Sequence, residues 1–315
     1  MKVLVTCPPM VRQFEVLAPQ LSVFPFEFVC AEVVQTMTEE QLMDLLPQYD
    51  GWIIGDDPAT GRVFEAGRRG RLRAAVKWGV GTDNVDFVGA RASAIPVVNT
   101  PNAFGREVAD LAMCYVTMLS RQVHVVDAAV KGGGWVKPAG GSLAGKTVAL
   151  VGYGDIGMNI ARRLKAADMR VHVYDPYTRL ALDYADEALT WPSRVDEADF
   201  IVLACALTAQ NRHLIDTSLL TSAKPGVHVI NVSRGPLIDE KALVAALRDG
   251  VVASAALDVF EVEPLPVSAS LREFGDRCVF GSHNASNTRE AVLNTSLTAV
   301  RRLHELMIGE GVVNA

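Results

Sequence analysis

The chain has 315 residues, 50% of them hydrophobic and 21% charged, with a formal net charge of −6. At roughly 100–200 residues per domain this length suggests about two domains, each able to bury a core. The composition excludes a disordered or collagen-like chain, and the acidic balance argues against a nucleic-acid partner, which leaves a basic footprint. Small anionic ligands stay compatible with it, because a few local arginines bind them inside an acidic protein.

The residues from Met1 to Pro8 are too short in their apolar part for a secretory signal and read as a first strand. No apolar run approaches the roughly 18 residues of a membrane span. Short apolar runs then alternate with helical patterns. The spacing predicts strands at 3–5, 26–29, 52–54, 74–78 and 96–98. A helix is predicted over 38–46, where Thr38 is followed three residues later by Gln41, the spacing of a capping box. Another helix is expected after Asp83. Strands separated by crossovers describe a parallel α/β unit within the first hundred residues.

Val108, Leu111, Ala112, Tyr115, Val116 and Leu119 recur at i, i+3, i+4 and i+7, which predicts a helix with one apolar stripe. A Gly-rich stretch, 131–141, joins it to a second unit that starts near Lys146. There the strands are predicted at 147–151, 170–174, 200–204, 227–232, 253–257 and 278–280. The tail, 288–308, is helical by pattern and is expected to cross back to the first domain. The expected division is therefore 1–98 with 287–315 against 99–286, with a cleft between the two and hinges at 99–103 and 284–288. The chain reaches Ala315 soon after the last helical pattern, which is expected to leave no further C-terminal regulatory domain.

Cys7, Cys30, Cys114, Cys205 and Cys278 are odd in number and scattered, with no C-x-x-C pair and no Cys/His cluster. Neither a disulfide framework nor a metal site is expected, and a reducing, cytoplasmic setting fits best. His124, His172, His228 and His304 lie in helical or strand patterns without evident partners and are expected to be structural.

The strongest local signal is Gly152-Tyr153-Gly154-Asp155-Ile156-Gly157, directly after an apolar strand and before a helix predicted over 158–167. Gly152 permits the tight turn, Gly154 lets backbone approach a pyrophosphate, and Gly157 allows close helix–strand packing. The helix N-terminus faces the phosphate charge. The next strand ends in Asp175, 18 residues after Gly157, where a carboxylate accepts hydrogen bonds from the adenine-ribose hydroxyls. Asp175 would repel a 2′-phosphate. Pro176 and Tyr177 add no cation, and Arg179 is the nearest one, so NAD is expected in preference to NADP.

Three later segments carry polar residues at strand ends of this unit: Asn231-Val232-Ser233-Arg234-Gly235, Asp258 to Glu263, and Gly281-Ser282-His283-Asn284. In an open parallel sheet ligands bind outside the carboxyl ends of the strands, so an Arg, a Glu and a His placed there can converge on a bound substrate. Glu261 competes with Glu263 for the carboxylate role.

On these motifs the sequence resembles the D-isomer-specific 2-hydroxyacid dehydrogenase family, including its phosphoglycerate dehydrogenase-like members, over essentially the whole chain. Lys77-Trp78-Gly79-Val80-Gly81-Thr82-Asp83-Asn84-Val85-Asp86 resembles the family's substrate-domain Gly loop. Asn99-Thr100-Pro101 followed by Val108-Ala109-Asp110 is similar to its interdomain crossing. Leu207-Thr208 followed by Arg212-His213-Leu214-Ile215 is similar to another of its signatures.

The resemblance implies a Rossmann-type NAD-binding domain and a flavodoxin-like substrate domain, both with parallel sheets. It implies an NAD-dependent oxidoreductase that interconverts a (D)-2-hydroxy acid and its 2-keto acid, and a homodimer formed through the nucleotide-binding domain. Arg234 would bind the substrate carboxylate and polarise the reacting oxygen. His283 would be the acid/base, and Glu263 would orient it and favour its protonated form. Backbone N–H groups around Val80 and Gly81 would hold the carboxylate. NAD would be held by Gly152, Gly154, Asp155, Ile156 and Gly157, by Asp175 and Pro176, by Cys205, Ala206 and Thr208, and by Val232, Ser233 and Asp258. His213 would lie outside the chemistry, in packing.

The chain departs from the family pattern at Gly281-Ser282, where a Pro usually precedes the His, and in the polar run Asn284-Ala285-Ser286-Asn287-Thr288. It also departs at Ala206 (commonly Pro), Asn102 (commonly Gly) and Glu107 (commonly Ser). The runner-up reading is a non-catalytic NAD-sensing or protein-binding relative on the same fold. A third is another hydride chemistry, such as formate or phosphite oxidation. An inactive relative is expected to lose Arg234, Glu263 or His283, and all are present. The turn Gly55-Asp56-Asp57-Pro58 carries two carboxylates at a strand's carboxyl end, with Arg62 the nearest cation and Arg12 near the end of the first strand. That balance disfavours a phosphorylated substrate.

Overall fold

The computed structural model describes residues 1–177 and 182–309, and they form two compact units. The first comprises Met1–Phe104 and the chain from Asn287; the second is Gly105–Ser286. In the first unit the elements are β1 (Lys2–Val5), α1 (Pro8–Arg12), α2 (Phe14–Leu21), β2 (Glu27–Cys30), α3 (Glu39–Leu45), β3 (Gly51–Ile54), α4 (Gly61–Arg69), β4 (Ala74–Lys77), α5 (Phe87–Ala92) and β5 (Val97–Asn99). The strands pair in parallel in the order β2-β1-β3-β4-β5. This is the flavodoxin-like doubly wound order, whose direction reverses between β1 and β3.

The elements form where side-chain chemistry starts and stops them. α3 opens with the capping box: Thr38 Oγ1 accepts from Gln41 N at 3.3 Å, and Gln41 Oε1 accepts from Thr38 N at 2.9 Å. Asp86 caps α5 by accepting from the Val88 and Gly89 amides. β3 and β4 are buried at every position, as strands covered by helices on both faces require.

The first unit extends past Val98 to Phe104 because the crossing segment is bonded to it. Gly79 N donates to Thr100 Oγ1 at 2.7 Å, and the Phe104 ring packs on Trp78 with centroids 5.3 Å apart.

The second unit contains α6 (Gly105–Arg121), α7 (Val123–Lys131), β6 (Thr147–Val151), α8 (Asp155–Ala166), β7 (Arg170–Tyr174), β8 (Glu187–Ala188), β9 (Phe200–Leu203), α9 (Thr217–Ser222), β10 (Val227–Asn231), α10 (Glu240–Arg248), β11 (Val252–Leu257) and β12 (Cys278–Phe280). Its parallel sheet has the order β12-β11-β10-β9-β6-β7-β8, a Rossmann-type arrangement. The apolar stripe of α6 buries Val108, Ala112, Tyr115, Val116 and Leu119, and α6 packs on α8, β10 and β11.

The tail is α11 (Arg289–Ile308), capped by Thr288, and it belongs to the first unit. Trp78 Nε1 donates to Ser296 Oγ at 3.1 Å, and Arg302 Nη1 donates to Asn99 O at 2.8 Å. His304 sits edge-on between the rings of Phe24 and Phe26. Gly51 leaves room for this helix, since a Cβ there would lie 3.0 Å from Leu303 Cδ2.

At the reversal point of the first sheet Asp57 is fully buried. Its carboxylate accepts from the Thr6 hydroxyl, from Met37 N at 2.9 Å and from Gly55 N at 3.0 Å. Thr6 Oγ1 in turn accepts from Trp52 Nε1 at 2.9 Å. Burial pushes the Asp57 carboxyl above the usual carboxylate range, and these donors oppose the shift. Asp57→Ala strands three donors in the core, so it should cost about 3 kcal/mol or more of stability in chemical denaturation, at roughly 1–3 kcal/mol per unsatisfied group. The exposed Glu65→Ala on α4 should stay within about 0.5 kcal/mol.

Candidate active site

The three glycines after β6 do different work. Gly152 has φ +96°, and a Cβ there would lie 2.6 Å from Cys205 N. Gly157 backs onto the turn itself, where a Cβ would lie 2.1 Å from Gly152 O. Gly154, the N-cap of α8, has open space where its side chain would be. A backbone lacking a Cβ thus faces outward at a helix N-terminus, which suits a bound pyrophosphate.

Asp155 opens α8 beside Ile156. Its carboxylate lies against the first residue of α6, where a Cβ on Gly105 would be 2.3 Å from Asp155 Oδ2. At the end of β7, Asp175 accepts from Tyr153 N at 2.7 Å and from Tyr177 N at 2.8 Å, one bond to each oxygen. A carboxylate oxygen accepts more than one bond, so the oriented Asp175 retains capacity for ribose hydroxyls. Pro176 and Tyr177 are exposed; Arg179 lies outside the described residues. Gly154, the α8 amides and Asp175 together fit a dinucleotide.

Beyond β9, the loop of Cys205, Ala206 and Thr208 is organised by a residue that the sequence did not single out. Asn211 Oδ1 accepts from Thr208 N at 2.7 Å, and its Nδ2 donates to Ala206 O at 2.7 Å. The Ser233 hydroxyl donates to Cys205 O, joining this loop to the end of β10, where Val232 is buried. Burial pushes the Cys205 thiol up to about 11, so it stays a neutral lining group.

β10 ends at Asn231, which is fully buried. Its Oδ1 accepts from Ser233 N at 3.0 Å, and its Nδ2 donates to Arg234 O at 2.8 Å. Both sides of one amide thus shape the turn that presents Arg234. The only advance signal was its place at the head of the Ser-Arg-Gly run. Gly235 then lies against the backbone of the neighbouring loop: a Cβ there would be 1.9 Å from Phe260 C. The Arg234 turn and the loop after β11 are therefore in direct backbone contact.

His283 Nδ1 donates to Glu263 Oε2 at 2.8 Å, and Glu263 Oε1 accepts from Phe260 N at 2.9 Å. Both groups are about one-quarter exposed, at 24% and 21%. The pairing decides between the competing carboxylates, because Glu261 turns elsewhere and accepts from His213 Nε2 at 2.6 Å. His213 is thus a hydrogen-bonding residue rather than a packing one.

His283 holds φ +55°, in the left-handed region. Asp258 keeps it there. Asp258 O accepts from His283 N at 2.7 Å, and its two carboxylate oxygens accept from Asn284 N at 3.1 Å and Ala285 N at 2.9 Å. Asp258 was expected among the cofactor contacts, yet it is 1% exposed and its carboxylate is directed to this loop. Gly281 admits the arrangement, since a Cβ there would lie 2.1 Å from Asp258 Oδ1 and 2.6 Å from Tyr115 Oη.

Three of the histidines expected to lack partners have them. His124 meets Asp276 O at 3.1 Å, His228 meets Ser254 Oγ at 2.7 Å while stacking on Phe200, and His304 meets two phenylalanine rings. His172 is buried with Nδ1 unbonded, and burial lowers its tendency to hold a proton.

In the first unit, Val80 and Gly81 follow Gly79, whose φ of +113° turns the chain out of β4. Asn99 Nδ2 donates to Val80 O at 3.0 Å, so the crossing segment braces this loop. The expected pair of repelling carboxylates at Asp56 and Asp57 is not what the fold presents. Asp57 is a buried structural acceptor, and the cation beside Asp56 is Lys77, not Arg62: Lys77 Nζ donates to Asp56 Oδ1 at 3.1 Å. Arg62 pairs with Glu39, and Arg12 donates to Val34 O. Chain folding brings β3 and β4 side by side, which local spacing does not reveal.

Residues 113–285 match the family model described as D-isomer specific 2-hydroxyacid dehydrogenase, NAD binding domain. The chain is 34% identical over 275 residues to a hydroxypyruvate reductase of Thermotoga maritima, covering 85% of this chain and 88% of that protein. It is 36% identical over 276 residues to the chloroplastic D-3-phosphoglycerate dehydrogenase 3 of Arabidopsis thaliana, covering 86% of this chain but 47% of the relative. The chain thus spans about half the length of that relative. Among solved structures, the apo form of D-lactate dehydrogenase from Escherichia coli superposes with a TM-score of 0.84 at 28% identity, covering 100% of this chain and 99% of the other.

Proposed function

The chain belongs to the D-isomer specific 2-hydroxyacid dehydrogenase family, and on that premise we propose that it interconverts a (D)-2-hydroxy acid and its 2-keto acid with NAD. The observation that carries the proposal is the His283–Glu263 pair at 2.8 Å, set beside the Arg234 turn through the Gly235–Phe260 contact. An NAD-sensing module would have no use for an oriented histidine–carboxylate pair beside a turn that carries an arginine.

Gly154, the N-terminal amides of α8 and Asp175 would hold the dinucleotide, with Gly152, Ile156, Gly157, Pro176 and the 205–208 loop shaping its bed. The bound cofactor supplies the hydride. Arg234 binds the carboxylate of the keto acid and stabilises the negative charge that grows on its carbonyl oxygen. His283, as imidazolium, gives that oxygen its proton. Glu263 holds Nδ1, which directs Nε2 to the transfer and favours the charged ring. In the oxidative direction the neutral ring takes the hydroxyl proton. Val80 and Gly81 keep the carboxylate-binding role that the family resemblance implies.

We also propose a homodimer and a cytoplasmic setting. α7 buries none of its residues and leads to Trp135, which is 79% exposed, an apolar surface suited to a second copy. The five cysteines are all free thiols, as a reducing compartment keeps them. Among the described residues no helix is long and apolar enough to cross a membrane.

NADH oxidation against hydroxypyruvate, glyoxylate, pyruvate and 3-phosphohydroxypyruvate, with product chirality determined, tests the activity and selects the substrate. Failure with every 2-keto acid overturns it. His283→Ala should lower turnover by about 10²–10⁴ with NADH affinity unchanged. Reduction needs imidazolium, so the rate falls as pH rises through the titration of the ring. Glu263→Gln removes the charge that favours imidazolium and should move that fall to lower pH. Asp175→Ala should weaken NADH binding and narrow the preference over NADPH, measured by cofactor fluorescence titration. Trp135→Lys should shift the mass seen by light scattering from dimer to monomer.

A further inference from the structure

The loop from Phe260 to Glu263 is gripped from several sides. Glu261 N donates to Glu240 Oε1 at 2.7 Å, at the start of α10. The Glu261 side chain accepts from His213 Nε2 at 2.6 Å, with Arg212 Nη2 3.7 Å away. His213 is also joined to the Arg234 turn: its N donates to Pro236 O at 2.8 Å, and Ile215 N donates to Leu237 O at 3.0 Å. One residue therefore links the segment that follows the 205–208 loop, the turn that presents Arg234, and the loop that carries Glu263.

Two further observations give this junction weight. His213 holds φ +54°, a strained conformation for a residue with a side chain, retained only where the surroundings over-determine it. The junction also gathers three carboxylates, those of Glu240, Glu261 and Glu263. Glu240 is pushed up by burial, which the Glu261 amide opposes, and further by its two acidic neighbours. The loop stays in place because each of its own carboxylates has a partner, His213 and Arg212 for Glu261 and His283 for Glu263. The His213–Glu261 hydrogen bond is partly buried, at 36% and 23% side-chain exposure, and stands two residues from the carboxylate that pairs with His283.

We infer that His213 and Glu261 are positioning residues, a second histidine–carboxylate pair that keeps Glu263 seated on His283 Nδ1 and aligned with Arg234. The inference rests on the proposed acid/base role of His283. Losing the clamp lets the 260–263 loop move, so Glu263 loses its fixed distance to His283, while Gly154 and Asp175, which would hold the dinucleotide, are untouched.

The test compares Glu261→Ala, His213→Ala and the conservative Glu261→Gln in the full chain with the parent and Glu263→Gln. His283 is faced by Glu263 and Asp258, and its ring titration is followed by NMR without cofactor. Glu261→Ala and His213→Ala should move that titration to lower pH, in the direction of Glu263→Gln, and Glu261→Gln should restore it. In turnover assays the two alanine variants should lose about tenfold in kcat, with NADH affinity within about twofold. Glu261→Ala combined with Glu263→Gln should be no slower than Glu263→Gln alone, because coupled residues are not additive. Unchanged His283 titration in folded alanine variants, or losses that multiply in the double variant, would overturn the inference. If Glu261→Ala does not fold, His213→Ala decides, since it leaves Glu261 beside Arg212. A parent inactive on all 2-keto acids overturns the functional reading, and the His283 titration still decides the clamp.

Discussion

The second unit is organised around one hydrogen bond, from His283 Nδ1 to Glu263 Oε2. A carboxylate bonded to one nitrogen of an imidazole both fixes the ring and favours its charge. Much of the surrounding structure holds that bond in place. His283 is kept in a left-handed conformation by Asp258, Asp258 needs the space that Gly281 leaves, and Glu263 needs the Phe260 amide to fix its second oxygen. The Asn231 amide and Gly235 then set the Arg234 turn against the same loop.

The parallel sheet explains why these residues come from separate stretches of chain. β10, β11 and β12 are adjacent, so their carboxyl ends deliver the Arg234 turn, the Asp258–Glu263 loop and His283 to one edge. β6 and β7 deliver the glycine turn and Asp175 to that same edge of the sheet. A sheet of largely buried strands below allows the loops above to be polar and strained. The first unit repeats the principle at its own edge, where Asp57 and Thr6 lock the turn after β3 and Lys77 balances Asp56.

Several elements were legible in the chain because their causes are local. Thr38 and Gln41 name a helix start by their spacing, the stripe from Val108 to Leu119 names a packed helix face, and the three glycines after β6 name the turn that each of them makes possible. The residues missed were those whose meaning is a partner far away in sequence. Asn231 and Asn211 read as ordinary loop amides until their hydrogen bonds are seen. Spacing alone does not separate Glu261 from Glu263, which the family resemblance singled out, and His213 read as packing, because a side chain's partner is set by how loops from different strands meet.

Periodicity, capping and glycine spacing are short-range effects within a turn or two of backbone. By itself the sequence therefore determined two parallel α/β units, the dinucleotide turn, and the Arg, Glu and His that end three strands. Tertiary structure alone decided that Asp57 is a buried anchor rather than a surface charge, and that Lys77 neutralises Asp56. It also supplied the contacts that hold α11 in the first unit, from Trp78, Asn99 and the rings about His304. The physical reason is the same in each case. Burial and charge pairing depend on which residues become neighbours in space, and strand order in the two sheets sets those neighbours across tens of residues of chain.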